Sequence, residues 1–106
     1  MKILVLQDHP GEGIFPTFPA GTPVTLTGPE CAEFLHWYPC EINGHATYVP
    51  NSFLRDGILT CEYNPTELVQ SAGDILTVNA IVNAWLHATN PQGQTGWIPA
   101  QICITT

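Results

Sequence analysis

Basic side chains are almost absent from this chain. Lys and Arg together number 2 against 9 Asp and Glu, a formal net charge of −7. Phosphate backbones are gripped by clusters of Lys and Arg, so this shortage excludes DNA or RNA as the main partner. It disfavours an anionic membrane surface for the same reason. Charged residues of either sign make up only 10% of the chain, and the acids are scattered, which reads as a soluble acidic surface. Long apolar runs are missing too: nothing approaches the roughly 20 residues of a membrane helix. The opening run Ile3-Leu4-Val5-Leu6 is shorter than the apolar region of about 7–15 residues in a signal peptide. Gln7, Asp8 and His9 end it, so it reads as a first strand, and a cytoplasmic location is expected.

The 4 cysteines, Cys31, Cys40, Cys61 and Cys103, lack any Cys-x-x-Cys spacing. In a cytosolic chain the default is free, mostly buried thiols. What is plentiful is punctuation. The 106 residues include 10 Pro and 9 Gly, and 44% are hydrophobic. Many short elements around a packed core suit an all-β protein.

Two halves share an order of elements. Ala20-Gly21-Thr22 aligns with Ala72-Gly73-Asp74, Phe34-Leu35-His36 with Trp85-Leu86-His87, and the stretch from Gly44 to Pro50 with that from Gly93 to Pro99. An internal duplication of about 50 residues accounts for this. The pattern within each half is that of strands. Val24-Thr25-Leu26-Thr27 and Ile75-Leu76-Thr77-Val78 are short and rich in β-branched residues. Asn43-Gly44 is a two-residue hairpin signal. The segment from Ile81 to His87 is read as strand rather than helix, because turn residues flank it and its counterpart contains Pro39. The join, Leu54-Arg55-Asp56-Gly57-Ile58, is too short for a flexible tether. Units of this size are marginal alone, so two domains, 1–55 and 56–106, are expected to pack together.

The succession Gly73-Asp74-Ile75-Leu76, Trp85 and Gly96-Trp97-Ile98-Pro99 resembles the Src homology 3 domain, and the first half carries a worn copy of it. The resemblance covers the whole chain, taken twice, and is nearest to bacterial members of the fold. It implies two tandem small barrels. It also implies a shallow aromatic groove for a peptide in the extended polyproline conformation. Carried over by position, the groove of the second half comprises Tyr63, Trp85, Pro99 and Ile102, with Glu62 and Glu67 as acids on the first long loop. The first half offers a secondary surface of His9, Phe34, Pro50 and Phe53, with Asp8 and Glu12 as its acids. Cys61 and Ile102 stand where the family places tyrosines, and the first long loop is short in both halves. Trp97 is expected to be structural, since large aromatics supply most of a small core.

Two sharper chemistries find little in the sequence. Cys31, His36, Cys40 and His45 include possible zinc ligands, but without the close ligand pairing of a zinc knuckle. Cys61 with His87, or Asp8 with Glu12, show no mark of an activated nucleophile or acid pair. The expectation is therefore a non-enzymatic module with no cofactor or metal, whose partner is a protein or peptide segment. A peptidoglycan-binding module, or a structural adaptor whose aromatic surfaces form inter-barrel or homodimer contacts, are the alternatives.

Overall fold

The computed structural model describes residues 1–11 and 13–106. The chain is mostly β. Its strands are β1 (Lys2–Val5), β2 (Thr25–Leu26), β3 (Trp37–Ile42), β4 (His45–Pro50), β5 (Leu54–Arg55), β6 (Ile58–Leu59), β7 (Ile75–Val82), β8 (Trp85–Thr89), β9 (Thr95–Pro99) and β10 (Cys103–Thr105). Short 3-10 turns at Asn51–Phe53 and Ala100–Ile102 follow β4 and β9. The sheets are open, with five, three and two strands, rather than closed barrels. Among the described residues, no helix is long and apolar enough to cross a membrane.

Two compact units form, and they do not coincide with the two halves of the sequence. Unit 1 is Met1–Ile14 with Thr66–Thr106; unit 2 is Phe15–Pro65. The expected boundary at 55/56 therefore lies inside unit 2. The reason is local. Asp56 and Gly57 both take positive φ (54° and 75°) and turn β5 back onto β6 in a two-residue hairpin. Asp-Gly is a signal for that turn, because both central residues must visit the left-handed region. What reads as a linker is a hairpin.

Unit 1 carries the five-stranded sheet, ordered β10-β1-β7-β8-β9. Strand β1 lies between β7 and the edge strand β10, with Leu4 opposite Ile75 on one side and Ile104 on the other. Alternation along the strands sends Ile3, Val5, Leu76, Leu86, Ala88 and Ile98 inward, where they join Leu68 and Ile102 in one core. Burying each Val, Leu or Ile side chain of this set contributes about 1.5–3 kcal/mol relative to exposure. The segment expected as one strand from Ile81 to His87 is split. Asn83 and Ala84 take positive φ (43° and 72°) and turn β7 into β8. Ala at such a position is unfavourable, which is why no turn signal marks the spot.

Unit 2 carries β2-β3-β4 and β5-β6, with a bridge from Pro23, just ahead of β2, to Ile58. Asn43-Gly44 makes the expected hairpin between β3 and β4, with φ of 48° and 85°. Phe18, Val24, Ile42, Val49 and Leu59 are buried here, with Trp37 and Tyr63.

The units share a hydrogen-bonding scheme. Gly73 and Asp74 exchange backbone bonds with Val5 (2.8 and 2.9 Å), as Gly21 and Thr22 do with Leu59 (2.7 and 2.9 Å). Leu6 donates to Ile102 as Thr60 donates to Phe53, both at 2.8 Å. The carbonyl of Ala84 receives the Ala100 N–H, and that of His36 receives the Asn51 N–H; both acceptor residues have positive φ (72° and 71°). His9 pairs with Gln70 as Tyr63 pairs with Phe18. By these bonds β1 of unit 1 plays the part that β6 plays in unit 2. Unit 1 thus takes β1 from the first half of the sequence, and unit 2 takes β6 from the second half.

Candidate functional site

This exchange of strands regroups the expected site residues. Tyr63, Glu62, Phe34, Pro50 and Phe53 lie in unit 2; His9, Glu67, Trp85, Pro99 and Ile102 lie in unit 1. The expected set of Tyr63 with Trp85 is thus divided, and His9 takes the place beside Trp85. Glu62 and Glu67, expected on one loop, fall in different units. Glu12 lies outside the described residues.

In unit 1 the site is built on two strand ends. Trp85 opens β8 straight after the Asn83–Ala84 turn, and its cross-strand partner is Pro99, which closes β9. Trp85 is half-buried and Pro99 is buried. Ile102, expected in the groove, is only 7% exposed and belongs to the core instead. His9 is fixed through its backbone, donating to Gln70 O at 2.8 Å and accepting from Gln70 N at 3.0 Å. Its ring meets the indole of Trp85 edge-on, with centroids 6.2 Å apart.

The imidazole is held at both nitrogens. Nδ1 lies 2.7 Å from the Leu68 carbonyl oxygen, and Nε2 lies 3.0 Å from Glu67 Oε1. A carbonyl only accepts, and so does a carboxylate, so this arrangement favours the imidazolium, in which both nitrogens donate. Accordingly the His9 pKa is raised. The bond to Glu67 is the largest cause, partly opposed by burial and reinforced by the Leu68 carbonyl and the Glu67 charge.

Segment 66–68 is anchored in turn. Leu68 N–H bonds to Trp97 O at 2.9 Å, and Trp97 N–H to Thr66 O at 3.1 Å. Next to it, Gly96 lies so close that a Cβ there would sit 2.9 Å from Thr66 O. A buried polar network secures the other side of His9's partner strand. Asn90 Nδ2 donates to Gln70 Oε1 and to Gln94 Oε1, both at 2.9 Å, and Gln70 Nε2 donates to Asp74 Oδ2 at 2.7 Å. Nothing in the sequence pattern singled out Asn90 or Gln70. Trp97 is 5% exposed, in keeping with a structural role, and meets His87 edge-on at 5.1 Å.

In unit 2 the equivalent place is closed. Tyr63 is 3% exposed, lies edge-on to Phe53 at 5.4 Å and donates its hydroxyl to the Tyr48 carbonyl. The cross-strand partner of Pro50 is Trp37, which is 5% exposed. Trp37, not Phe34, is therefore the counterpart of Trp85. The signal was present: Trp and Pro bracket a hairpin in both halves, at 37 and 50 and at 85 and 99. The Leu-His pair that follows both Phe34 and Trp85 obscures this match in the sequence.

Other candidate chemistries find little support. All four cysteines are free thiols. Burial pushes the Cys40 thiol up to about 11 and raises Cys31 and Cys103 as well, which disfavours the thiolate. Among the described residues, no group of three or more His, Cys, Asp or Glu side chains could hold a metal ion. Cys61 and His87 belong to different units. No family model, curated protein or solved structure matches this chain.

Proposed function

We propose that the chain is a tandem of two Src-homology-3-like units that have exchanged first strands, and that unit 1 binds an extended peptide segment. The shared scheme of backbone bonds supports the first part: one pattern of turns and pairings occurs twice in an order typical of that fold. The second part is carried by one observation. Trp85 is only half-buried, with the His9 ring at its edge and the buried Pro99 across the strand pair. A flat aromatic wall beside a proline suits a polyproline helix, which offers ridges and few donors. Unit 2 has the same plan, but its tryptophan and tyrosine are both buried, so we assign binding to unit 1 and a supporting role to unit 2. Binding, not catalysis, is the activity.

Titration of the chain with a fluorescent proline-rich peptide tests the reading, with Trp85→Ala as the variant. An aromatic anchor at the centre of a contact is worth about 2 kcal/mol or more, so affinity should fall roughly thirtyfold. Circular dichroism should show the variant still folded. Unchanged affinity in a folded variant refutes the proposal.

A further inference from the structure

We propose that His9 determines which segment the unit 1 surface accepts: by holding the Glu67 carboxylate, it withholds the charge that a ligand Arg or Lys would need, so an uncharged extended segment is preferred. This rests on the peptide-binding reading above.

The geometry supplies the argument. The side chains of His9 and Glu67 are 12% and 19% exposed, and Nε2 and Oε1 stand 3.0 Å apart. A pair so far removed from water is screened little and gives way reluctantly. The ring cannot swing aside cheaply, because Nδ1 is bonded to Leu68 O and its edge rests on Trp85. Nor can Glu67 follow a ligand freely, since its neighbours Thr66 and Leu68 are bonded to Trp97. Among the described residues, Trp85 and the Leu68 carbonyl also meet His9, and both are neutral. Its chain neighbour Asp8 accepts the Ala72 N–H at 2.9 Å. Net charge disfavours the opposite choice: at −7 the chain repels acidic segments. An uncharged segment is what remains.

In unit 2 the equivalent residue is Tyr63, whose single hydroxyl proton is donated to a backbone carbonyl. The acid lock is thus a property of His9 and not of the shared plan.

The test uses two proline-rich peptides, capped at both ends and identical except for one Arg or Gln beside the proline run. Both are titrated into the wild-type chain, into His9→Phe, and into His9→Phe/Glu67→Gln. Phe keeps an aromatic edge against Trp85 while releasing the carboxylate. Wild type at pH 6 should show no preference for the Arg peptide. His9→Phe should prefer it about tenfold, as befits one charge-assisted contact. The double variant should lose that preference. A second arm needs no variant: as pH rises through the His9 titration, followed by NMR, the wild type should gain the Arg preference. Two results overturn the inference alone: an Arg preference in wild type at pH 6 equal to that of His9→Phe, or an unchanged preference across the titration. Failure of every form to bind either peptide sinks the peptide-binding reading and takes this inference with it.

Discussion

Replacing Gly96 by Ala puts two opposed effects in competition. Alanine restricts the unfolded chain, which stabilises a protein by about 0.4–1 kcal/mol where the native backbone tolerates it. Here the gain is overwhelmed by lack of space. A Cβ at position 96 would meet Thr66 O at 2.9 Å, Leu68 N at 3.0 Å and Leu68 Cγ at 3.1 Å. Two of these are backbone atoms in the segment paired with Trp97, so relief requires that segment to move. Overpacking of this kind costs typically 1–3 kcal/mol, leaving a net loss of about 1–2 kcal/mol. At about 4–8 °C per kcal/mol for a small domain, the melting midpoint should fall by roughly 5–15 °C. Gly28→Ala is the control, because its Cβ would meet only one side-chain atom, Pro39 Cγ, at 3.1 Å. Thermal melts followed by circular dichroism measure both. The displaced segment carries Glu67, so the NMR titration of His9 should also move toward the ordinary histidine value in Gly96→Ala. A variant that melts at or above wild type, with the His9 titration unmoved, would show that segment 66–68 yields freely and that the site is not held as described.

Two further outcomes follow from the same bonds. The His9 pKa is raised in the folded chain above its ordinary value of 6.5, so its stabilising contribution is fully present below that value and is lost as pH rises through the folded pKa. Urea denaturation of wild type and His9→Gln should therefore differ most near pH 5.5 and converge toward pH 9; a gap that widens with pH reverses the sign and refutes the pairing. His87, whose pKa burial lowers, titrates in both proteins and drops out of that difference. Tyr63→Phe removes the hydroxyl donated to Tyr48 O. It should cost about 1 kcal/mol in denaturant unfolding, and no loss would mean that the carbonyl finds water.

The strands were largely legible because they obey local rules. The β-branched runs at Val24–Thr27 and Ile75–Val78 and the Asn43-Gly44 turn announce themselves within a few residues. Strand partnership does not. Ile3-Leu4-Val5 and Ile58-Leu59 are interchangeable as short apolar strands, and no periodicity says which unit each completes. That choice depends on the path of the chain between them, so the division into 1–14 with 66–106 and 15–65 could not be read from pattern. The site suffered from the same blindness. Its residues were mostly named, His9, Glu67, Trp85 and Pro99 among them, but were sorted by half of the sequence rather than by unit. Asp56-Gly57 was a missed local clue: taken as a hairpin turn, it places β6 beside β5 and leaves β1 to pair elsewhere.

The interrupted path of unit 1 has a consequence for biosynthesis. Unit 2 is continuous, so everything it requires has left the ribosome once Pro65 emerges. Unit 1 must wait. Ile3 finds one partner at Leu76 and the other at Thr105, almost the whole chain away, and until both have emerged the nascent β1 is an apolar strand that lacks a neighbour. Prior folding of unit 2 would draw the two ends of the interruption together and shorten the loop left to close. The inserted unit would thus act as a splint for the one that surrounds it.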